Sequence, residues 1–169
     1  MKKTILGLGI LVCLVSGCLK SNNNNGVCNI TESTVVAPAS EVDSVQKYLT
    51  QNSIAATQHS SGFFYRINTQ GTGQAIVNLC STVEVRYTGK LVNGSVFDST
   101  GGGTAIFKLG ALIKGWQKGL PLISKGGKIT LYIPPTLGYG DTDVKDNTGN
   151  IVIPKNSILI FDIELLNIG

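Results

Sequence analysis

Thr82-Val83-Glu84-Val85-Arg86-Tyr87-Thr88-Gly89 alternates between two kinds of surface without a break. Side chains on a strand point alternately to opposite faces, so this stretch is a half-buried antiparallel strand with one dry and one wet side. Asn93-Gly94 follows, between Leu91-Val92 and Val96-Phe97, and Asn-Gly suits the positive-φ positions of a tight hairpin turn. The rest of the chain has to fit this frame. Gly62 to Ile67 reads as an earlier strand, closed by Gly71-Thr72-Gly73, and Lys128 to Ile133 as a later one stopped by Pro134-Pro135. Ser157 to Leu166 forms the last strand and alternates only in part. Among these strands only Leu112 to Leu120, interrupted by Gly115 and Gly119, has helical character. Strands, one short helix, then more strands describe an α+β domain: a curved antiparallel sheet wrapped on one short α-helix.

The N-terminal part has a different texture. Pro38 to Gln51 places Val42, Val45, Tyr48 and Leu49 at helical spacing, with Ser40 as the expected N-cap and Glu41 and Asp43 in the first turn. So short a helix is marginal alone and must dock on something. Before it, residues 19–36 are polar; Ser21 to Gly26 has nothing to bury and is expected to be a disordered tether. At the start stand Lys2 and Lys3, an apolar run from Thr4 to Val15, then Ser16-Gly17. That order is a secretory signal, too short to span a membrane comfortably.

Val15-Ser16-Gly17-Cys18 resembles a lipobox. The resemblance implies cleavage before Cys18 and lipidation of its thiol; an ordinary cleaved signal with a chance cysteine is the alternative. Each buried CH₂ contributes ~0.8 kcal/mol, so several acyl chains hold firmly where one would not. Leu19, rather than an Asp retention signal, follows Cys18, which favours anchoring to the outer membrane of a two-membrane bacterium, with the domain outside the cytoplasm. The expected organisation is a signal peptide at 1–17, a tether at 18–36, a helical segment at 37–58 and a domain at 59–169.

Charge and residue inventory exclude several function classes. The formal charge of +4 includes Lys2 and Lys3, and the remaining basic residues are scattered, so no nucleic-acid footprint exists. Of the four cysteines, Cys13 leaves with the signal and Cys18 carries lipid. In an oxidising compartment the remaining Cys28 and Cys80 invite a bridge; two free buried thiols are the alternative. His59 is the only histidine and has no paired Ser or Cys, which points to a surface role. Gly101-Gly102-Gly103 lacks the Lys of a phosphate loop. Asp141-Thr142-Asp143 with Asp146-Asn147 fails the calcium-loop spacing, because Lys145 takes a ligand position and Asp146 stands where Gly is needed. Neither a metal nor another cofactor is expected.

More specific blocks then accumulate. Val85-Arg86-Tyr87-Thr88-Gly89-Lys90-Leu91 is followed by Asn93-Gly94-Ser95-Val96-Phe97-Asp98-Ser99, by Phe107-Lys108-Leu109-Gly110, and by Leu112-Ile113-Lys114-Gly115-Trp116-Gln117-Lys118-Gly119-Leu120. Gly126-Gly127-Lys128, Pro134-Pro135, Gly138-Tyr139-Gly140, Ile153-Pro154 and Leu159 to Leu166 complete the series. In order and nearly in spacing, residues 60–169 resemble the FKBP-type peptidyl-prolyl cis-trans isomerases. The resemblance implies a proline pocket with Trp116 as its indole floor and Tyr87, Phe97 and Phe161 as aromatic walls. It further implies that the Ile113 backbone N–H and the Tyr139 hydroxyl donate to substrate carbonyls, that Asp98 is the pocket-edge carboxylate, and that Leu112, Val152 and Phe107 line the substrate site. Ala105 replaces a further aromatic wall, Leu137 stands where another tyrosine often lies, and the loop from Asp141 to Asn150 is long.

The implied activity is rotation about X-Pro bonds of unfolded exported polypeptides, assisting folding in the envelope. A non-catalytic module that only grips proline-containing segments is the alternative. Related envelope foldases pair through N-terminal helical regions, whereas only one helix is available here, so a monomer is expected.

Overall fold

The computed structural model describes residues 28–169. The signal peptide, Cys18 and the first part of the expected tether lie outside the described residues. No helix among the described residues is long and apolar enough to cross a membrane.

Strand β3 (Thr82–Leu91) is the spine. It buries Val83, Val85, Tyr87 and Gly89 and turns the residues between them outward, as its alternation requires. Strands β1 (Thr57–Gln58), β2 (Phe64–Thr69), β4 (Val96–Ser99), β5 (Ala105–Lys108), β6 (Lys128–Ile133) and β9 (Leu159–Ile168) join it in the order β1-β2-β6-β9-β3-β4. Strands β4 and β5 pair with opposite ends of β3 along one edge, separated by the turn of Gly101 to Gly103. All these pairings are antiparallel. Strand β5 falls outside the expected set because four residues with Ile106 exposed give too short an alternation to recognise.

Helix α2 (Lys114–Gly119) packs on one face of the sheet and is flanked by 3₁₀ turns at Leu109–Ala111 and Leu120–Leu122. A six-residue helix does not stand alone. Its glycines let it lie almost on the sheet: a Cβ on Gly115 would come within 2.6 Å of Ile133, and one on Gly119 within 2.7 Å of Leu131. Trp116 and Leu120 go into the core between sheet and helix.

Helix α1 (Ala39–Gln51) packs on the opposite face, at one end only. Val45 and Leu49 are buried there against Phe64, Tyr132 and Ile160, and burying such a side chain contributes ~1.5–3 kcal/mol. This second layer explains why β6 and the start of β9 are buried on both faces and alternate poorly. The helix begins one residue before Ser40. Pro38 occupies the N-cap, and its carbonyl accepts from the N–H groups of Glu41 and Val42, so Ser40 lies inside the first turn.

Residues 28–36, expected as the last part of the tether, make specific contacts with the domain. Residues 28–36 run along the domain: Cys28 is disulfide-bonded to Cys80 with Cα atoms 5.7 Å apart, and Ile30 fills the space beside Gly110. The Lys118 ammonium donates to Glu32 at 2.9 Å and to the Ser33 carbonyl at 2.6 Å. No helical or strand periodicity marks this segment, which is held by a covalent link, polar bonds and the packing of Ile30 and Val35.

Between Gly140 and Pro154, the long loop forms a hairpin of β7 (Val144–Lys145) and β8 (Ile151–Ile153). The Asp146 carboxylate closes its turn by accepting from Thr148 and Asn150, and these bonds hold the carboxyl down to about 2. The Asp143 carboxylate accepts from the Lys155 backbone N–H. Both carboxylates are thus committed to local structure. His59 is half-buried rather than a surface group: it stacks on Phe63 at 4.5 Å and its Nδ1 lies 2.9 Å from the Ser61 hydroxyl.

Candidate functional site

The site forms where β3, β4, β9 and α2 converge. Trp116 projects from α2 toward the sheet, and three rings meet it edge to face: Tyr87 at 5.2 Å, Phe161 at 5.1 Å and Phe107 at 6.3 Å, with interplanar angles of 87° to 90°. The positive edge of one ring against the negative face of another makes such pairs worth about 0.5–1.5 kcal/mol each beyond burial. Phe97 meets Phe161 at 5.5 Å and 87°. Tyr87, Phe97, Phe107, Trp116 and Phe161 are therefore one packed aromatic group contributed by β3, β4, β5, α2 and β9.

Tyr87 and Asp98 form its polar edge. The Tyr87 hydroxyl donates to Asp98 Oδ2 at 2.6 Å. Burial raises the Asp98 carboxyl above its usual range, while the bonds from Tyr87 and the Ser99 N–H pull the other way. Burial, then the bond to Asp98, pushes the Tyr87 phenol far up. Tyr87 thus stays a donor at any ordinary pH, aimed at a carboxylate that is partly desolvated. Thr100 fixes the strand at this point through its hydroxyl and N–H, which exchange bonds with the Tyr87 N–H and carbonyl.

A depression of about 60 Å³ opens beside this edge, lined by Phe97, Asp98, Tyr139, Val144, Asp146, Val152 and Ile153. One water needs roughly 10–15 Å³ of such space, so the depression takes a handful of heavy atoms, the size class of a five-membered ring. Val144, Asp146 and Ile153 were not among the expected residues; they reach the rim because 144–153 folds as a hairpin.

Trp116 is only 2% exposed and is not among the residues that line the depression. Phe97, Tyr139 and Val152 line the depression itself. The indole Nε1 is buried without a hydrogen-bond partner among the described residues, so the indole is used here for its apolar faces at a polar cost. Leu112 and Ile113 are buried beside it. Ile113 caps α2 in an extended conformation, and its carbonyl accepts from the N–H groups of Trp116 and Gln117. Its own N–H has no partner among the described residues. The Gln117 amide secures the preceding turn through the carbonyls of Gly110 and Leu112. Cys28 and Cys80 lie away from the depression.

A larger polar groove of about 290 Å³ lies near Arg86, Thr88, Lys128, Asp162 and Glu164. Its charges satisfy one another: Arg86 and Lys128 both pair with Glu164, and Lys90 pairs with Asp162. No group of three or more His, Cys, Asp or Glu side chains among the described residues could hold a metal ion.

Known proteins resemble this chain in sequence and in fold. Residues 73–166 match the family described as FKBP-type peptidyl-prolyl cis-trans isomerase. A probable FKBP-type peptidyl-prolyl cis-trans isomerase of Haemophilus influenzae is 47% identical over 111 residues, covering 64% of this chain and 44% of that protein. The chain thus spans less than half the length of that curated relative. The crystal structure of FkpA from Escherichia coli superposes with a TM-score of 0.64 at 37% identity, over 77% of this chain and 60% of that one. The crystal structure of AtFKBP13 superposes with a TM-score of 0.61 at 36% identity, over 68% of this chain and 99% of that one.

Proposed function

This chain belongs to the family of FKBP-type peptidyl-prolyl cis-trans isomerases, and on that premise we propose that it accelerates rotation about X-Pro bonds, with the proline ring seated in the depression beside Phe97, Asp98 and Tyr139. The observation that carries the reading is the Tyr87–Asp98 bond set at the lip of an aromatic group. An apolar slot with a few fixed dipoles is what this reaction needs.

Planar amides have partial double-bond character, and the barrier to rotation is ~18–20 kcal/mol. Uncatalysed X-Pro rotation takes tens to hundreds of seconds. No covalent bond is made or broken, so no nucleophile is required. The planar amide is more dipolar than the twisted one; an apolar surround therefore disfavours the ground state relative to the transition state. An acceleration of ~10⁶-fold corresponds to ~8 kcal/mol. Exclusion of water by Phe97, Phe161 and Val152, and donation from the Ile113 N–H and the Tyr139 hydroxyl, are the contributions this site offers. Trp116, Leu112 and Phe107 support the apolar wall from beneath.

The substrates are unfolded exported polypeptides, and the chain is a monomer held to a bacterial membrane, the outer one favoured, through lipid on Cys18. Support for export and anchoring comes from the order of residues 1–18. What supports a monomer is that Val45 and Leu49 already face Phe64, Tyr132 and Ile160 of the same chain.

A second reading, a module that grips proline segments without catalysis, is favoured by the covered indole. A protease-coupled proline-peptide assay on the chain lacking residues 1–18 separates the two. Acceleration by the wild type, largely lost in Asp98→Ala and Phe97→Ala, is expected. A wild-type rate equal to that of buffer selects the gripping module.

A further inference from the structure

Glu41 belongs to α1, outside the aromatic site, yet its carboxylate is committed to a residue 95 positions away. Its Oε2 accepts the Thr136 backbone N–H at 2.9 Å and its Oε1 accepts the Thr136 hydroxyl at 2.7 Å. The donating N–H is one edge of the Pro135–Thr136 peptide unit. The carbonyl on the other edge of that unit accepts from the N–H groups of Gly138 at 2.8 Å and Gly140 at 2.9 Å. Those two residues flank Tyr139.

A peptide unit is planar and stiff, so fixing its N–H fixes the direction of its carbonyl. Pro134 and Pro135 have no N–H, which leaves Thr136 as the first residue of this turn with a backbone donor that an outside acceptor can hold. A carboxylate acceptor makes that bond short and strong, and polarising the amide strengthens what its carbonyl accepts. Glu41 itself is held in place, because Val45 and Leu49 seat the helix on the sheet and Val42 fits against Gly62. A helix-terminal acidic residue acting only on the helix dipole would need no two-oxygen grip on a distant turn.

We infer that Glu41 is a positioning residue for the site: through the Pro135–Thr136 peptide it sets where Tyr139 stands at the rim of the depression. This rests on the isomerase reading for its consequence in catalysis, though not for the positioning itself. The helix thereby has a function in the active site as well as in packing.

The test uses the full-length chain in detergent and a cycle of wild type, Glu41→Ala, Tyr139→Phe and the double variant. Hydrogen exchange followed by mass spectrometry reads position directly. Glu41→Ala is expected to speed exchange at Gly138 and Gly140 by about tenfold or more, as loss of a charged hydrogen bond allows, with β3 and β9 unchanged. Glu41→Gln, which still accepts from the Thr136 N–H, stays within about threefold of wild type. Should Glu41→Ala unfold α1, Thr136→Ala leaves the helix intact and is expected to speed the same amides by about threefold. In the isomerase assay Glu41→Ala lowers kcat/KM about fivefold, chiefly through kcat, and has no further effect in the Tyr139→Phe background, as coupled residues behave. Equal effects in both backgrounds, or unchanged exchange at Gly138 and Gly140, overturn the inference. A wild type without isomerase activity instead sinks the functional reading and leaves exchange to decide this one.

Discussion

Gly89 and Phe161 face each other across the β3–β9 ladder, and the missing side chain of the first is the space in which the ring of the second stands. A Cβ on Gly89 would lie 2.8 Å from Phe161 and 2.7 Å from Phe97. Gly89 thus sets the room available to both aromatic walls. Gly89→Ala is expected to cost about 1–3 kcal/mol of stability, as overpacking does. The displaced rings should also lower isomerase kcat/KM by at least about tenfold, a barrier increase of ~1.4 kcal/mol. Urea titration and the peptide assay on one preparation check both, and a variant unchanged in both would contradict the packing described.

Asp98 gives a pH signature. Its folded carboxyl sits above the usual value of about 3.9 through burial, so it holds its proton more tightly than in the unfolded chain. Its contribution to stability is therefore full below the unfolded value and is lost as pH rises through the folded one. Asp98→Asn should remove that part of the slope in urea midpoints between pH 3 and 7, measured on both proteins in parallel. It should likewise abolish the acid limb of kcat/KM, which sits above the pH expected for an ordinary aspartate.

The bridge between Cys28 and Cys80 closes a sequence separation of 52 residues. In the chain-entropy treatment a loop of that length contributes about 4 kcal/mol. Reduction should add two hydrogens by mass and lower Tm markedly, while leaving activity at 25 °C intact because neither cysteine lines the depression. Loss of activity in parallel with reduction at a temperature where the fold persists would show that the N-terminal segment reaches the site.

Leu49 tests whether α1 serves its own domain. Leu49→Ala should cost about 2–5 kcal/mol, as core truncations do, with wild type and variant both monomeric by light scattering. A wild-type dimer that dissociates in the variant would instead assign this face to pairing.

How far the sequence could be read depends on how each element is buried. Thr82 to Gly89 was legible because only one of its faces is dry. Phe63 and Phe64 are both buried, since α1 covers the second face there, and that doubling blurs period two. Gly115 and Gly119 interrupt the helical stretch because Ile133 and Leu131 stand where their side chains would be. The covered position of the indole was not legible: motif order says which side chains share a site, not how deeply each is sunk. Val144 and Asp146 reached the rim through a hairpin whose strands are two and three residues long, too short for periodicity. The grip of Glu41 on Thr136 spans nearly the whole domain and has no local signal at all.

The central claim, that the depression beside Phe97, Asp98 and Tyr139 admits a prolyl ring and turns its peptide bond, is tested most directly by exchange spectroscopy. A short peptide with one X-Pro bond, whose cis and trans forms interconvert too slowly to exchange within the measurement, is recorded with increasing amounts of the wild-type chain. The account predicts cis–trans exchange peaks that grow in proportion to protein and are largely absent with Phe97→Ala. Interconversion at the buffer rate at every protein concentration would contradict it.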